Sequence, residues 1–156
     1  MEDDRREAIG DADRAERRQA LSRATRALAR RDHSAASLRS KLDRAGIPAR
    51  AQDEALGVLA RAGYLDDARF ARDRAAHLAA RGFGDERIRA DLASQGVSPE
   101  AVEPALAQLE PEGERAQRQA AKLGGGLRAS RTLARRGFAE ESLEGLVAQD
   151  DDTGVG

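Results

Sequence analysis

From Asp13 onward the apolar residues recur at helical spacing in short blocks, and most blocks stop at a glycine. Leu21, Ala24, Ala27 and Leu28 share one stripe, which predicts a first helix from Asp13 to about Arg31. Ser34 is an N-cap candidate ahead of Leu38 and Leu42, and this second helix ends at Gly46. A third helix covers about Ala49 to Ala62, with Ala55, Leu56 and Leu59 facing inward. Asp66 or Asp67 can cap a fourth helix that carries Phe70, Ala71, Arg74, His77 and Leu78 and ends at Arg81-Gly82. A fifth starts at Gly84-Asp85 and carries Ile88 and Leu92; a sixth opens at Ser98-Pro99, with Val102, Leu106 and Leu109 inward. Pro111 opens a seventh, which Gly124-Gly125-Gly126 must break, because each glycine costs about 1 kcal/mol relative to alanine in a helix. Leu127 to Arg136 and about Ala139 to Gln149 complete nine helices, and the abundance of Ala, Arg, Leu and Glu with few β-branched residues points to an all-α fold.

Three of these blocks repeat one signature of leucine, three residues, glycine and an apolar residue. It occurs as Leu42-Gly46-Ile47, Leu92-Gly96-Val97 and Leu133-Gly137-Phe138, at spacings of 50 and 41 residues. Ten residues beyond each glycine comes Leu56, Leu106 or Val147. The chain therefore divides into three-helix repeats at 13–63, 64–110 and 111–149. A disordered arm (1–12) precedes them and a flexible acidic tail (150–156) follows. Apolar residues make up 40% of the chain, but about half of them are alanine and only 3% of all residues are aromatic. Each helix pair thus buries modest area, and an all-α, elongated array whose neighbouring units support one another is expected.

Charge refines this picture. The net charge of −1 conceals a basic body, in which residues 1–136 carry 27 basic against 22 acidic side chains, and a C-terminal stretch with six acids and no base. Such a body permits a nucleic-acid or nucleoprotein partner without demanding one. The first helix carries Arg17, Arg18, Arg23, Arg26, Arg30 and Arg31, while its acids stop at Glu16. A solvated basic end, which the helix dipole favours, and a contact surface are equally open readings of that helix.

Little in the sequence suggests catalysis. There is no cysteine, and the two histidines, His33 and His77, are too far apart in sequence to form a helical ligand pair, so no metal or cofactor is expected. Asp66-Asp67 sits where helix caps sit, and the triple glycine lacks the GK[ST] continuation of a phosphate loop. No apolar run is long enough to cross a bilayer and no signal peptide is legible, so a cytoplasmic, non-enzymatic monomer is expected. Tyr64, Leu65 and Phe70 are among the largest apolar groups and are expected to pack the first repeat against the second.

The stretches GYLDDARFARDRA from Gly63, RGFGDERIRADLASQGV from Arg81 and RRGFAEESLEGLV from Arg135 resemble the RecX family of bacterial recombination regulators. The resemblance covers about residues 24–149. Its most specific residues are Tyr64, Leu65, Asp66, Asp67 and Phe70, and the late Arg136-Gly137-Phe138, with Gly46, Gly96 and Gly137 as the structural turns. Two features depart from the pattern: the glycine run of the third repeat, and Gln52, where an apolar residue such as Val102 or Leu143 is expected. The resemblance implies an elongated, curved array of three tandem three-helix repeats. It also implies a regulator that lies on the RecA filament on single-stranded DNA, inhibits its recombinase, ATPase and co-protease activities, and touches the DNA only weakly or indirectly. Candidate contacts are Arg39, Lys41 and Arg44 in the first repeat, Arg87 and Arg89 in the second, and Arg131, Arg135 and Arg136 in the third. Two other classes stand beside this reading: a direct DNA-binding protein built like a helix-turn-helix, and a plain helical scaffold.

Overall fold

The leucine–glycine signature is a helix stop. In the first copy the Gly46 N–H donates to the Asp43 carbonyl (2.9 Å) and the Ile47 N–H reaches back to the Leu42 carbonyl (3.1 Å). This is the Schellman pattern, in which the left-handed glycine turns the chain and the residue after it packs onto the helix it has left. Gly46 has φ 74°, and Leu42 and Ile47 are buried in the same core. Val97 N–H to Leu92 and Phe138 N–H to Leu133 repeat the bond at 3.1 Å each. The spacing of leucine to apolar residue in the signature is therefore the spacing of one hydrogen bond.

The computed structural model describes residues 1–148; the end of the predicted ninth helix at Gln149 and the acidic tail at 150–156 lie outside them. The described residues form nine α-helices and no strand. These are α1 (Glu2–Arg30), α2 (Ala35–Arg44), α3 (Ala49–Arg61), α4 (Asp67–Ala80), α5 (Asp85–Ser94), α6 (Pro99–Ala107), α7 (Glu112–Lys122), α8 (Gly126–Arg135) and α9 (Glu140–Ala148). They pack as two compact units, Met1–Phe70 and a second that begins at Ala71.

In the first unit α1 lies against α3 and α2. Its buried face is Ala20, Ala24 and Ala27, small residues that let the leucines Leu38, Leu42, Leu56, Leu59 and Leu65 close over it. Leu21 and Leu28, expected inward, are only partly buried beside that stripe. α1 begins at Glu2 and passes straight through residues 1–12, which had no apolar period and were expected to be an arm without structure. No side chain before Ala20 is buried. What favours helix there is local: acids Glu2, Asp3 and Asp4 in the first turn, where the dipole favours them, and an Asp11–Arg14 pair.

Gln52 occupies the apolar position of the repeat and is 1% exposed. Its Nε2 donates to Asp43 Oδ1 (2.5 Å) and to the Ile47 carbonyl (2.9 Å), so the amide binds the α2–α3 turn and is satisfied in place. Of the three large residues expected at the first junction, Leu65 and Phe70 are buried, but Tyr64 is 67% exposed. Asp66 caps α4 through the Arg69 N–H (3.0 Å), whereas Asp67 accepts the Ala35 N–H (2.8 Å) and so caps α2, 32 residues away.

The second unit repeats that device with a longer acid. Glu112, first residue of α7, accepts the Asp85 N–H at the start of α5 (2.7 Å) through one oxygen. Its other oxygen accepts the Ala139 N–H (3.2 Å) and the Ser142 hydroxyl (2.6 Å) before and within α9. Beside it Arg115 is 6% exposed and each guanidinium nitrogen donates one hydrogen bond: to the Glu110 carbonyl (2.9 Å), the Phe83 carbonyl (3.1 Å) and the Asp85 carboxylate, with the guanidinium 5.9 Å from the Phe138 ring centroid. Burial lifts the Asp85 carboxyl above the ordinary range; Arg115 opposes that shift and Glu112 adds to it.

At this junction two backbones touch. The Gly84 N–H donates to the Arg136 carbonyl (2.9 Å) and the Glu86 N–H to the Gly137 carbonyl (3.1 Å). A Cβ on Gly137 would stand 2.5 Å from the Arg87 Cβ, and one on Gly84 would stand 2.3 Å from the Phe138 nitrogen. Gly46, by contrast, has nothing within 4 Å of such a Cβ. Gly46→Ala should therefore cost only the left-handed conformation, about 1 to 2 kcal/mol. Gly137→Ala adds a backbone clash and should cost about 3 kcal/mol or more. Paired denaturant midpoints measure the difference, and equal losses would contradict the close approach.

Candidate functional site

Three arginines of α1, Arg23, Arg26 and Arg30, fall at spacings of three and four residues and so share one helix face. Because the residues between them that turn inward are Ala24 and Ala27, α2 comes close enough to bring Lys41 to the same groove. Leu38 and Leu42 line it, the groove has a volume of about 220 Å³, and no carboxylate lines it. Among the described residues none of these four cations has an ion pair. Other bases of the unit do meet acids: Arg17 meets Glu54 at 2.7 Å, and Arg50 stands 3.8 Å from Asp13 and 3.9 Å from Glu54. A run of unspent guanidinium donors joined by an ammonium can hold phosphate or carboxylate oxygens without first breaking an internal pair.

The eight basic residues singled out in the sequence fare differently from one another. Arg39 is bound to Asp53 (2.7 Å) and Arg89 to Glu103 (2.8 and 3.3 Å), so both face a carboxylate of their own repeat. Arg87 lies over the Phe83 ring, 5.4 Å from its centroid, with Arg81 also at that ring at 5.5 Å. Arg136 gives its carbonyl to the Gly84 turn. Arg44 and Arg135 are exposed, and Arg131 lines a groove with glutamates. Only Lys41 belongs to the basic groove. The three arginines that complete the groove were legible as exposed bases, and the signal that sets them apart was the end of the acids at Glu16.

A second concavity of the first unit, about 620 Å³, is lined by Thr25, Leu28, Leu59, Tyr64 and Arg69. Arg69 fixes its edge by donating to the carbonyls of Gly63 (3.0 Å) and Tyr64 (3.3 Å). His33 is buried between the α1 and α2 ends, with Nδ1 3.0 Å from the Ser37 hydroxyl. Among the described residues no group of acids and histidines could hold a metal ion, and no helix is long and apolar enough to cross a membrane.

The comparisons with known proteins meet this arrangement. Regulatory protein RecX of Stenotrophomonas maltophilia (strain R551-3) is 32% identical over 142 residues, covering 85% of this chain and 87% of its own. The chain belongs to the RecX family. Regulatory protein RecX of Cronobacter sakazakii (strain ATCC BAA-894) is 33% identical over 147 residues, covering 81% of this chain and 88% of its own. The family model described as RecX, second three-helix domain, matches residues 66–106, the span of α4 to α6. Two solved structures share the fold. A crystal structure of regulatory protein RecX has TM-score 0.75 at 23% identity over 89% of this chain and 75% of its own. RecX from Lactobacillus salivarius has TM-score 0.76 at 16% identity, over 89% of this chain and 98% of its own. The chain is thus a RecX-type regulator built of tandem three-helix repeats.

His33 yields a pH test. Burial, then the charges of Arg31 and Lys41, lower its pKa from the ordinary imidazole value. Below about pH 6.5 the unfolded chain therefore binds a proton that the folded chain refuses, and stability falls as pH falls through that value. His33→Gln should remove this part of the slope between pH 7 and 5. An unchanged slope would contradict the buried neutral imidazole.

Proposed function

We propose that this chain binds the filament that the RecA recombinase forms on single-stranded DNA and lowers its recombinase, ATPase and co-protease activities. It does so as a cytoplasmic monomer, with no catalysis and no cofactor of its own. Membership of a family of regulatory proteins supports the reading. The observation that carries it to a surface is the groove of Arg23, Arg26, Arg30 and Lys41, four cations without an ion pair among the described residues, gathered around one concavity that no carboxylate lines. Each repeat adds a contact of modest strength, and joining the repeats in one chain makes later contacts intramolecular, so they add at high effective concentration.

The same groove favours a second reading, direct binding to DNA in the manner of a helix-turn-helix protein. The two differ in what the phosphates contribute. A protein that binds bare single-stranded DNA loses affinity with salt at about 0.7 per phosphate contact on logarithmic axes. A filament-directed protein inhibits at concentrations where bare DNA is scarcely bound.

The experiment is the ATP hydrolysis rate of the cognate RecA on single-stranded DNA, titrated with this chain beside direct binding to the same DNA. Inhibition should precede coverage of bare DNA; inhibition that tracks coverage would establish the direct DNA-binding reading instead. Replacing Arg23, Arg26 and Arg30 together by Gln removes only exposed side chains, so the thermal midpoint should hold while the inhibitory concentration rises about tenfold. An unchanged inhibitory concentration would show that the groove makes no contact with the filament.

A further inference from the structure

The three repeats treat one surface position differently. In the first, Arg39 on α2 reaches across to Asp53 on α3, Nη1 to Oδ1 at 2.7 Å. In the second, fifty residues on, Arg89 on α5 grips Glu103 on α6 with two bonds, at 2.8 and 3.3 Å. In the register of the repeat, the third-repeat counterparts are Ser130 on α8 and Glu144 on α9. The carboxylate is kept and the arginine is gone. Among the described residues Glu144 has no ion pair.

Where the other two repeats carry a bridging guanidinium, the third has an open groove of about 590 Å³. Its floor is apolar, with Phe138 and Leu143, and its rim carries Glu86, Glu140 and Glu144 against one cation, Arg131. Three carboxylates repel a phosphate backbone, so this face suits a protein. An apolar floor under an acceptor carboxylate suits a planar, weakly hydrated guanidinium better than an ammonium.

We propose that the α8–α9 groove is a docking site for an arginine presented by the RecA filament, the partner's guanidinium taking on Glu144 the place that Arg39 and Arg89 fill within their own repeats. The inference rests on the reading of this chain as a filament-directed regulator and names one contact of that interface. It assigns the two candidate surfaces to different chemistries: the α1–α2 groove takes anions, the α8–α9 groove takes a cation.

Ser130→Arg tests it by supplying the missing arginine from within the chain. The new side chain should pair with Glu144, leave the thermal midpoint unchanged or higher, and weaken binding to RecA filaments on single-stranded DNA about tenfold, the scale of losing one close interfacial charge pair. Glu144→Gln removes the acceptor charge at an exposed position and should weaken binding to a similar extent. Ser130→Gln, bulky but neutral, should bind like the unaltered chain. Filament affinity unchanged in both Ser130→Arg and Glu144→Gln, while the unaltered chain binds, would overturn the inference and leave the filament-directed reading standing. An equal loss in Ser130→Gln would make the effect steric and overturn it as well. Failure of the unaltered chain to bind filaments at all would overturn both.

Discussion

Each repeat depends on one hydrogen bond that folds the chain back onto the helix it has just left. The Leu42, Leu92 and Leu133 carbonyls accept from the residue five positions later, and only a glycine in between adopts the required positive φ without strain. In these three turns the donor residue is apolar and buried: Ile47, Val97 and Phe138 enter the core as the chain turns. The following helix must then start where its predecessor's core is still open. In a protein with so few large side chains, that geometric economy takes the place of a large hydrophobic core.

Polar groups at the repeat starts do the rest. Asp67 and Glu112, each the first residue of its helix, close the N-termini of α2 and α5 over 32 and 27 residues of sequence. The longer glutamate reaches a third helix as well, and Arg115 fills the space beside it with each of its three guanidinium nitrogens donating one hydrogen bond. Such a network is strong only when complete, since a charge left alone at that depth is costly. Charges outside these networks are available to partners, and two groups of them line concavities: the cationic α1–α2 groove and the carboxylate-rimmed α8–α9 groove.

What was legible in the sequence was local. Helix stops, the triple-glycine break and the Asp66 cap depend on residues within a turn of one another, and the repeat made them visible three times. Missing were interactions that join distant residues: Asp67 reads as a second cap beside Asp66 until Ala35 is seen beside it. Gln52 reads as a flaw until the Ile47 carbonyl is found at its amide. Tyr64 was placed inside by size alone; it donates to the Leu59 carbonyl as Ile47 does to Leu42, yet its ring is exposed and the next residue, Leu65, is the one that enters the core. The first twelve residues lacked an apolar period because their helix buries nothing; periodicity reports burial, not helicity. Among the basic residues, composition could count charges but not pair them, and pairing separates Arg39 and Arg89 from Lys41.

We propose that two faces of opposite charge, one in α1–α2 and one in α8–α9, meet the RecA filament. Amide hydrogen exchange of this chain, free and bound to RecA filaments on single-stranded DNA, tests it most directly. Added protection should appear in residues 23–41 and 130–144, with the exposed start of α1 unchanged. Protection confined to other segments, or none in a complex shown to form, would contradict it.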